Sequence, residues 1–234
     1  MDQLVTYTLD GSTATIAMDD GKVNALSPRM LGEIGAAFDR ARDDPATVVV
    51  LTGRPGTFSA GFDLKVMRSD VVAALDMIIA GFRLAEKILS FPKPVVIACT
   101  GHAIAMGSFL LLSGDHRIGT AGDFRIVANE VAIGLTIPLS AVEICRQRLT
   151  PAAFNQAINL SETFTPESAV HAGFLDHVVP AEQLTEATRD ATARFAALNA
   201  EAHANSKARV RAQALEALAA AIEKDEAQFR AFLG

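Results

Sequence analysis

The sequence predicts an α/β protein in which β-β-α units repeat and a helical region follows, with residues 1–180 forming the core and residues 181–234 the helical part. Three observations lead to this. Strand-like runs rich in Val, Ile and Thr alternate with helical stretches through about residue 125, the alternation that produces parallel pairing. Three helix starts are written as a capping residue followed by Pro, at Ser27-Pro28, Thr150-Pro151 and Thr165-Pro166, where Pro is tolerated because the first N–H of a helix lacks a partner anyway. Beyond Pro138 strand signals become sparse, and the last residues are alanine-rich and charged, a composition that favours helix.

The elements follow in order. Residues 4–9 and 13–18 are extended, and Asp10-Gly11 between them supplies the positive φ of a hairpin turn. The helix opened by Ser27-Pro28 carries Met30, Leu31, Ile34, Ala37, Phe38 and Ala41 on one face. Residues 47–51 form a buried strand, residues 70–89 a helix, Val95-Val96-Ile97 a strand, and a further helix begins at Ala105. Gly173 stops a helix before a short strand at residues 175–179. In the terminal segment Val210, Ala214, Leu215, Leu218, Ala219 and Ile222 recur at helical spacing, but with too little bulk to close a core of their own. A neighbouring subunit is the expected partner of that face, which implies a homo-oligomer.

Composition excludes several classes. A chain of 234 residues, 50% of them hydrophobic, supports one sizeable core. A net charge of -6 with both signs dispersed does not make a surface for nucleic acid. Cys99 and Cys145 lie among apolar residues and read as core thiols of a reducing, cytoplasmic compartment, and Met1-Asp2-Gln3-Leu4 lacks the pattern of a signal peptide. Residues 94–114 contain no Asp, Glu, Lys or Arg and match a membrane span in length, yet a strand and glycines interrupt them, so no membrane partner is expected. The histidines have no ligand spacing for a metal, and neither a Gly-x-Gly-x-x-Gly fingerprint nor a P-loop is present, so no metal or bound cofactor is expected.

Three stretches carry chemistry. Thr57-Phe58-Ser59-Ala60-Gly61-Phe62-Asp63-Leu64-Lys65 is a small-residue turn between a strand and a helix, and such a turn exposes backbone N–H groups. Gly101-His102-Ala103-Ile104-Ala105-Met106-Gly107-Ser108-Phe109 hands a strand to a helix in the same way. Convergent N–H donors stabilise a developing oxyanion without carrying charge. Val127-Ala128-Asn129-Glu130-Val131-Ala132-Ile133-Gly134 places one carboxylate among apolar residues, where lost hydration makes Glu130 a stronger base. Asp63 has the position of a helix cap, and Ser108 lacks the Gly-x-Ser-x-Gly elbow of a serine nucleophile.

These stretches resemble the crotonase, or enoyl-CoA hydratase/isomerase, superfamily. The resemblance runs through Asn24-Ala25-Leu26-Ser27, the Ser59-Ala60-Gly61-Phe62-Asp63-Leu64-Lys65 signature, Lys93-Pro94-Val95-Val96-Ile97-Ala98, Asn129-Glu130, and Ala169 onward to Val179, covering nearly the whole chain. It implies a crotonase-type spiral of β-β-α units, an acyl-CoA thioester as substrate with no added cofactor, and a homotrimer or dimer of trimers. It implies oxyanion donors at the Ala60 and Met106 N–H groups and a catalytic Glu130. The substrate-binding set it implies is Lys22, Ala25, Ser59, Gly61, Phe62, Asp63, Lys65, Gly107 and Phe109, with the two lysines within reach of coenzyme A phosphates.

Two departures bear on the reaction. Hydratases of the superfamily carry a second catalytic Glu where this chain has Phe109, and its 3-enoyl-CoA isomerases lack that Glu while keeping the other. Met106 stands where the family usually has Gly. The resemblance therefore implies isomerisation of 3-enoyl-CoA through a thioester enolate. A hydratase with another acid, a hydrolase of acyl-CoA or a β-diketone, and a catalytically silent acyl-CoA-binding protein are the alternatives.

Overall fold

In the computed structural model the described residues are 3–231; Met1, Asp2 and residues 232–234 of the expected helical part lie outside them. The chain opens with the hairpin of β1 (Val5–Asp10) and β2 (Thr13–Met18), paired Asp10 to Thr13, with Gly11 at φ 55 in the turn. Helix α1 (Pro28–Asp43) starts at Ser27, whose hydroxyl accepts from the Met30 N–H, and buries all six residues of the expected face. Then come β3 (Val48–Thr52), β4 (Gly56–Ser59), α2 (Leu64–Ser69), α3 (Val71–Leu89), β5 (Val95–Cys99), β6 (Gly101–Ile104), α4 (Met106–Ser113), β7 (His116–Thr120) and β8 (Ile126–Val127). Both Thr-Pro starts are realised, in α6 (Pro151–Leu160) and α7 (Pro166–Ala172), with α5 (Leu139–Arg146) before them and β9 (His177–Val179) after.

Each turn of the spiral contributes one strand to a large sheet, ordered β1-β2-β3-β5-β7-β9, and the later turns add one each to a small parallel sheet, β4-β6-β8. The small sheet is not apparent from hydrophobic pattern, because its strands have only 4, 4 and 2 residues. Its consequence is geometric. Parallel strands present their C-terminal ends at one edge, so the residues after Ser59, Ile104 and Val127 emerge side by side. Those residues are the three chemistry-bearing stretches.

The helical part divides at residues 197–199 into α8 (Leu184–Ala196), which lies under β3, β5 and β7, and α9 (Ala200–Ala231). Helix α9 packs on α3 and α5 of its own chain, burying Leu218, Ala221 and Ile222. The segment thus packs on other elements, as its low bulk implied, and these include elements of its own chain. Val210 is 83% exposed, whereas Lys207, Arg211 and Asp225 are buried. The Asp225 carboxylate accepts from the N–H groups of Leu139 (2.9 Å) and Ser140 (2.8 Å) and from the Ser140 hydroxyl (2.6 Å), capping the start of α5. Cys99 and Cys145 are buried free thiols, as expected. Among the described residues no helix is long and apolar enough to cross a membrane.

Asp225→Ala removes three bonds to a buried carboxylate and should cost about 3 kcal/mol. Amide exchange should then quicken along α9 and the first turn of α5 while β3 and β5 keep their protection.

Candidate active site

The first chemistry-bearing turn is built on Asn24. This side chain is fully buried, donates to the carbonyls of Met18 (3.1 Å) and Phe58 (3.1 Å), and accepts from the Asp20 N–H (3.1 Å). Asp20 in turn gathers the N–H groups of Lys22, Asn24 and Ala25. Burial alone would raise the Asp20 carboxyl, but these donors hold it below its ordinary value. Segment 23–26 is thereby pressed along segment 60–63. Ala60 donates to the Val23 carbonyl (3.0 Å), Leu26 donates to the Gly61 carbonyl (2.8 Å), and Phe62 bridges Leu26 in parallel register.

That register corrects the expected donor. The Ala60 N–H is already engaged by Val23, so it is not free to hold a ligand oxygen. In this parallel bridge Leu26 bonds Gly61 and Asp63 of the facing segment, so the N–H of Phe62 between them points away from Leu26. Among the described residues the Phe62 N–H has no acceptor, and neither has the Met106 N–H at the start of α4. A Cβ on Gly61 would lie 2.9 Å from the Ile104 carbonyl, 3.1 Å from the Ala105 Cβ and 3.5 Å from the Met106 nitrogen. The two turns are thus in backbone contact next to their free donors, and only Gly at position 61, with φ 87, permits it.

The second turn is strained. Ala105 sits at φ 48, ψ -123, a region glycine enters freely and a Cβ resists. It is held by its N–H to Val127 (2.8 Å) and by its carbonyl, which accepts from the Ser108 N–H and hydroxyl. Ser108 is therefore a buried brace. Gly107 is equally constrained, because a Cβ there would lie 2.5 Å from the Ser59 carbonyl.

The third group is Glu130, which follows β8 and precedes a single 3-10 turn (Val131–Ile133). Its carbonyl accepts from Ile133 and Leu135, and Ser161 accepts from the Ala132 N–H, which fixes the loop. Glu130 Oε2 is buried without a hydrogen-bond partner. Burial pushes the carboxyl up to about 7, against a weaker opposing bond from its own N–H. No charged neighbour contributes to that shift. The same charge, after burial, raises the Cys145 thiol on α5.

Other expected substrate residues divide. Lys22 and Lys65 are exposed on the rim, and Ala25 is half-buried. Asp63 caps α2, accepting from the Lys65 N–H (2.8 Å). Ser59, Gly107 and Phe109 are enclosed, as are Gly61 and Met106. The Ser59 hydroxyl donates to the Asn24 carbonyl (2.8 Å) and accepts from the Gly61 N–H (3.1 Å). Phe109 is 1% exposed and packs on Phe82, whose ring also meets Phe62 edge-on. Sequence reasoning missed the roles of Asp20 and Asn24; the Asp20-Gly21 pair just before Asn24 is the turn signal that points to them.

Two uncharged donors beside a base of raised pKa, all at one edge of a small parallel sheet, can hold an oxyanion and move a proton next to it. The family model described as enoyl-CoA hydratase/isomerase matches residues 8–233, and the chain belongs to that family. It is 50% identical to an enoyl-CoA hydratase structure from Mycobacterium ulcerans, covering 97% of this chain and 100% of that one, with a TM-score of 0.93. The structure of human mitochondrial delta3-delta2-enoyl-CoA isomerase is 27% identical, with coverage of 99% and 92% and a TM-score of 0.93. A carnitinyl-CoA dehydratase of Proteus mirabilis is 29% identical over 81% of this chain and 73% of its own length.

Ala105→Gly should relieve the turn and stabilise the protein by about 1 kcal/mol, whereas Gly61→Ala should destabilise it and separate the two donors; thermal melts check both. Glu130 binds its proton more tightly folded than unfolded, so its contribution to stability declines as pH rises from about 4.5 to about 7. Glu130→Gln does not titrate. Its stability should gain on the wild type as pH rises through that window, by up to about 3 kcal/mol, and the difference in Tm should widen with it.

Proposed function

We propose that the chain shifts the double bond of a 3-enoyl-CoA to the 2-position, with Glu130 taking a proton from the α-carbon and returning it at the γ-carbon. The Phe62 and Met106 N–H groups hold the thioester oxygen as the dienolate forms, and the thioester carbonyl is the electron sink. The observation that carries this reading is that Glu130 stands as a lone base. Its pKa of about 7 owes nothing to a second carboxylate. The position where a hydratase would need another acid is Phe109, an aromatic ring turned into the core against Phe82. A single carboxylate suffices to carry one proton between two carbons of a planar dienolate, whereas adding water requires both a base for the water and an acid for the carbon. Lys22 and Lys65 on the rim suit the phosphates of coenzyme A.

The test is a mass-resolved assay of 3-enoyl-CoA and 2-enoyl-CoA. Isomerisation leaves the mass unchanged while conjugation appears in the ultraviolet; hydration adds a water. Rapid hydration of crotonyl-CoA, from about one turnover per second upward, would overturn the reading. Glu130→Gln should lower kcat by roughly a hundredfold to ten-thousandfold and leave affinity for a saturated acyl-CoA unchanged. Because the base must be ionised, kcat/KM should fall as pH drops through about 7.

A further inference from the structure

At the opposite end of α4 from the candidate active site, a cavity of about 350 Å³ opens between α9, the end of α5 and the turn at Asp115. Arg148, Lys207, Arg211 and His203 line it, with Asp115 as its one carboxylate. Lys207 and Arg211 are buried and both reach Asp115, at 2.6 and 2.8 Å. Asp115 also accepts from the Val95 N–H (2.8 Å). Arg148 donates through Nη2 to the carbonyls of Gly114 (2.9 Å) and Asp115 (3.1 Å), while its Nε is buried with no partner. The Nε2 of His203 is buried without a partner too.

Charge does not balance here. Three cations face one carboxylate, and the neighbouring pair of Arg117 with Asp176, joined at 2.7 Å, acts on Arg148 with both signs and adds no net charge. Carbonyls at the end of α4 accept from Arg148 and Arg211, which offsets part of the excess as any helix C-terminus would. Those dipoles carry no net charge. A cation withdrawn from water needs a formal counter-charge to avoid a cost of several kcal/mol. Burial holds the Lys207 ammonium down to about 8 against the pull of Asp115, with Arg211 and Arg148 pushing the same way as burial.

We propose that this cavity is a binding site for a doubly charged oxyanion, a phosphate group, held by Arg148, Lys207, Arg211 and His203. A dianion cancels the two excess charges. Its several acceptor oxygens match the cationic groups of Arg148, Lys207 and Arg211 set around a pocket, and a phosphate takes such charge-assisted bonds well. The inference is independent of the reaction assigned at Glu130.

The test is thermal denaturation in inorganic phosphate against chloride at matched ionic strength, with phosphorus NMR line broadening as a second readout. Phosphate should raise Tm saturably, on the order of 5 °C at about a hundred times its Kd. Arg148→Gln, which leaves both Asp115 ion pairs in place, should abolish that rise. Ser206→Glu, which supplies a carboxylate from the cavity wall on α9, should raise Tm in phosphate-free buffer and also abolish the response. Competition separates the sources of the group. If coenzyme A displaces phosphate and 3′-dephospho-coenzyme A does not, the site takes the 3′-phosphate of that carrier; if neither displaces it, the site takes free phosphate. A shift no larger than chloride gives, or one that survives in Arg148→Gln or Ser206→Glu, overturns the proposal.

Discussion

The buried amide of Asn24 joins three pieces of chain that have no sheet pairing in common: the end of β2, the end of β4 and the loop between them. The Asn24 carbonyl takes the Ser59 hydroxyl, and that hydroxyl takes the Gly61 N–H. One hydrogen-bonded unit therefore sets the course of the chain on both sides of Phe62. It works together with the Leu26 bonds to Gly61 and Asp63 to hold Val23 opposite Ala60, which leaves the N–H of Ala60 engaged and that of Phe62 free. The positive φ of Asn24 is a modest strain that Asn bears better than most residues.

The site is made from backbone that has been prevented from pairing. Phe62 and Met106 keep free N–H groups because each lies just past the last ladder bond of its strand, and because Gly61 and Gly107 let the two turns approach to a distance that side chains would forbid. Glu130 is set in the same manner. Its Oε2 lacks a partner, and its raised pKa comes from poor hydration and not from a charged neighbour. Stability is given up at both Ala105 and Glu130, and the surrounding apolar packing of Phe58, Phe82 and Phe109 sustains it.

Sequence carried the large-scale order well where a local rule has one outcome. Ser27, Thr150 and Thr165 each cap a helix followed by Pro, and the face of α1 is buried residue for residue. The β4-β6-β8 sheet was not legible, since runs of two to four residues that include Gly, His and Ser carry no period. The choice between Ala60 and Phe62 was not legible either, as it depends on which N–H meets Val23 across a contact of 37 positions, from 23 to 60. On α9 the helical period marked an apolar stripe that includes Val210, but not the adjacent stripe on which Asp115 draws Lys207 and Arg211 inward. Buried ion pairs of that kind have no signature in one strand of sequence.

The shortness of the small sheet governs how the chain tolerates insertions. A strand advances roughly 3.3 Å per residue and alternates faces, so a single added residue within β4, β6 or β8 would carry Phe62, Met106 or Glu130 past its neighbours and invert the following turn. The β4 pairing already absorbs one irregularity between Thr57 and Ser59. Length variation compatible with the three registers is thus confined to connections outside the small sheet, at residues 53–55 between β3 and β4, 90–94 between α3 and β5, and 121–125 between β7 and β8.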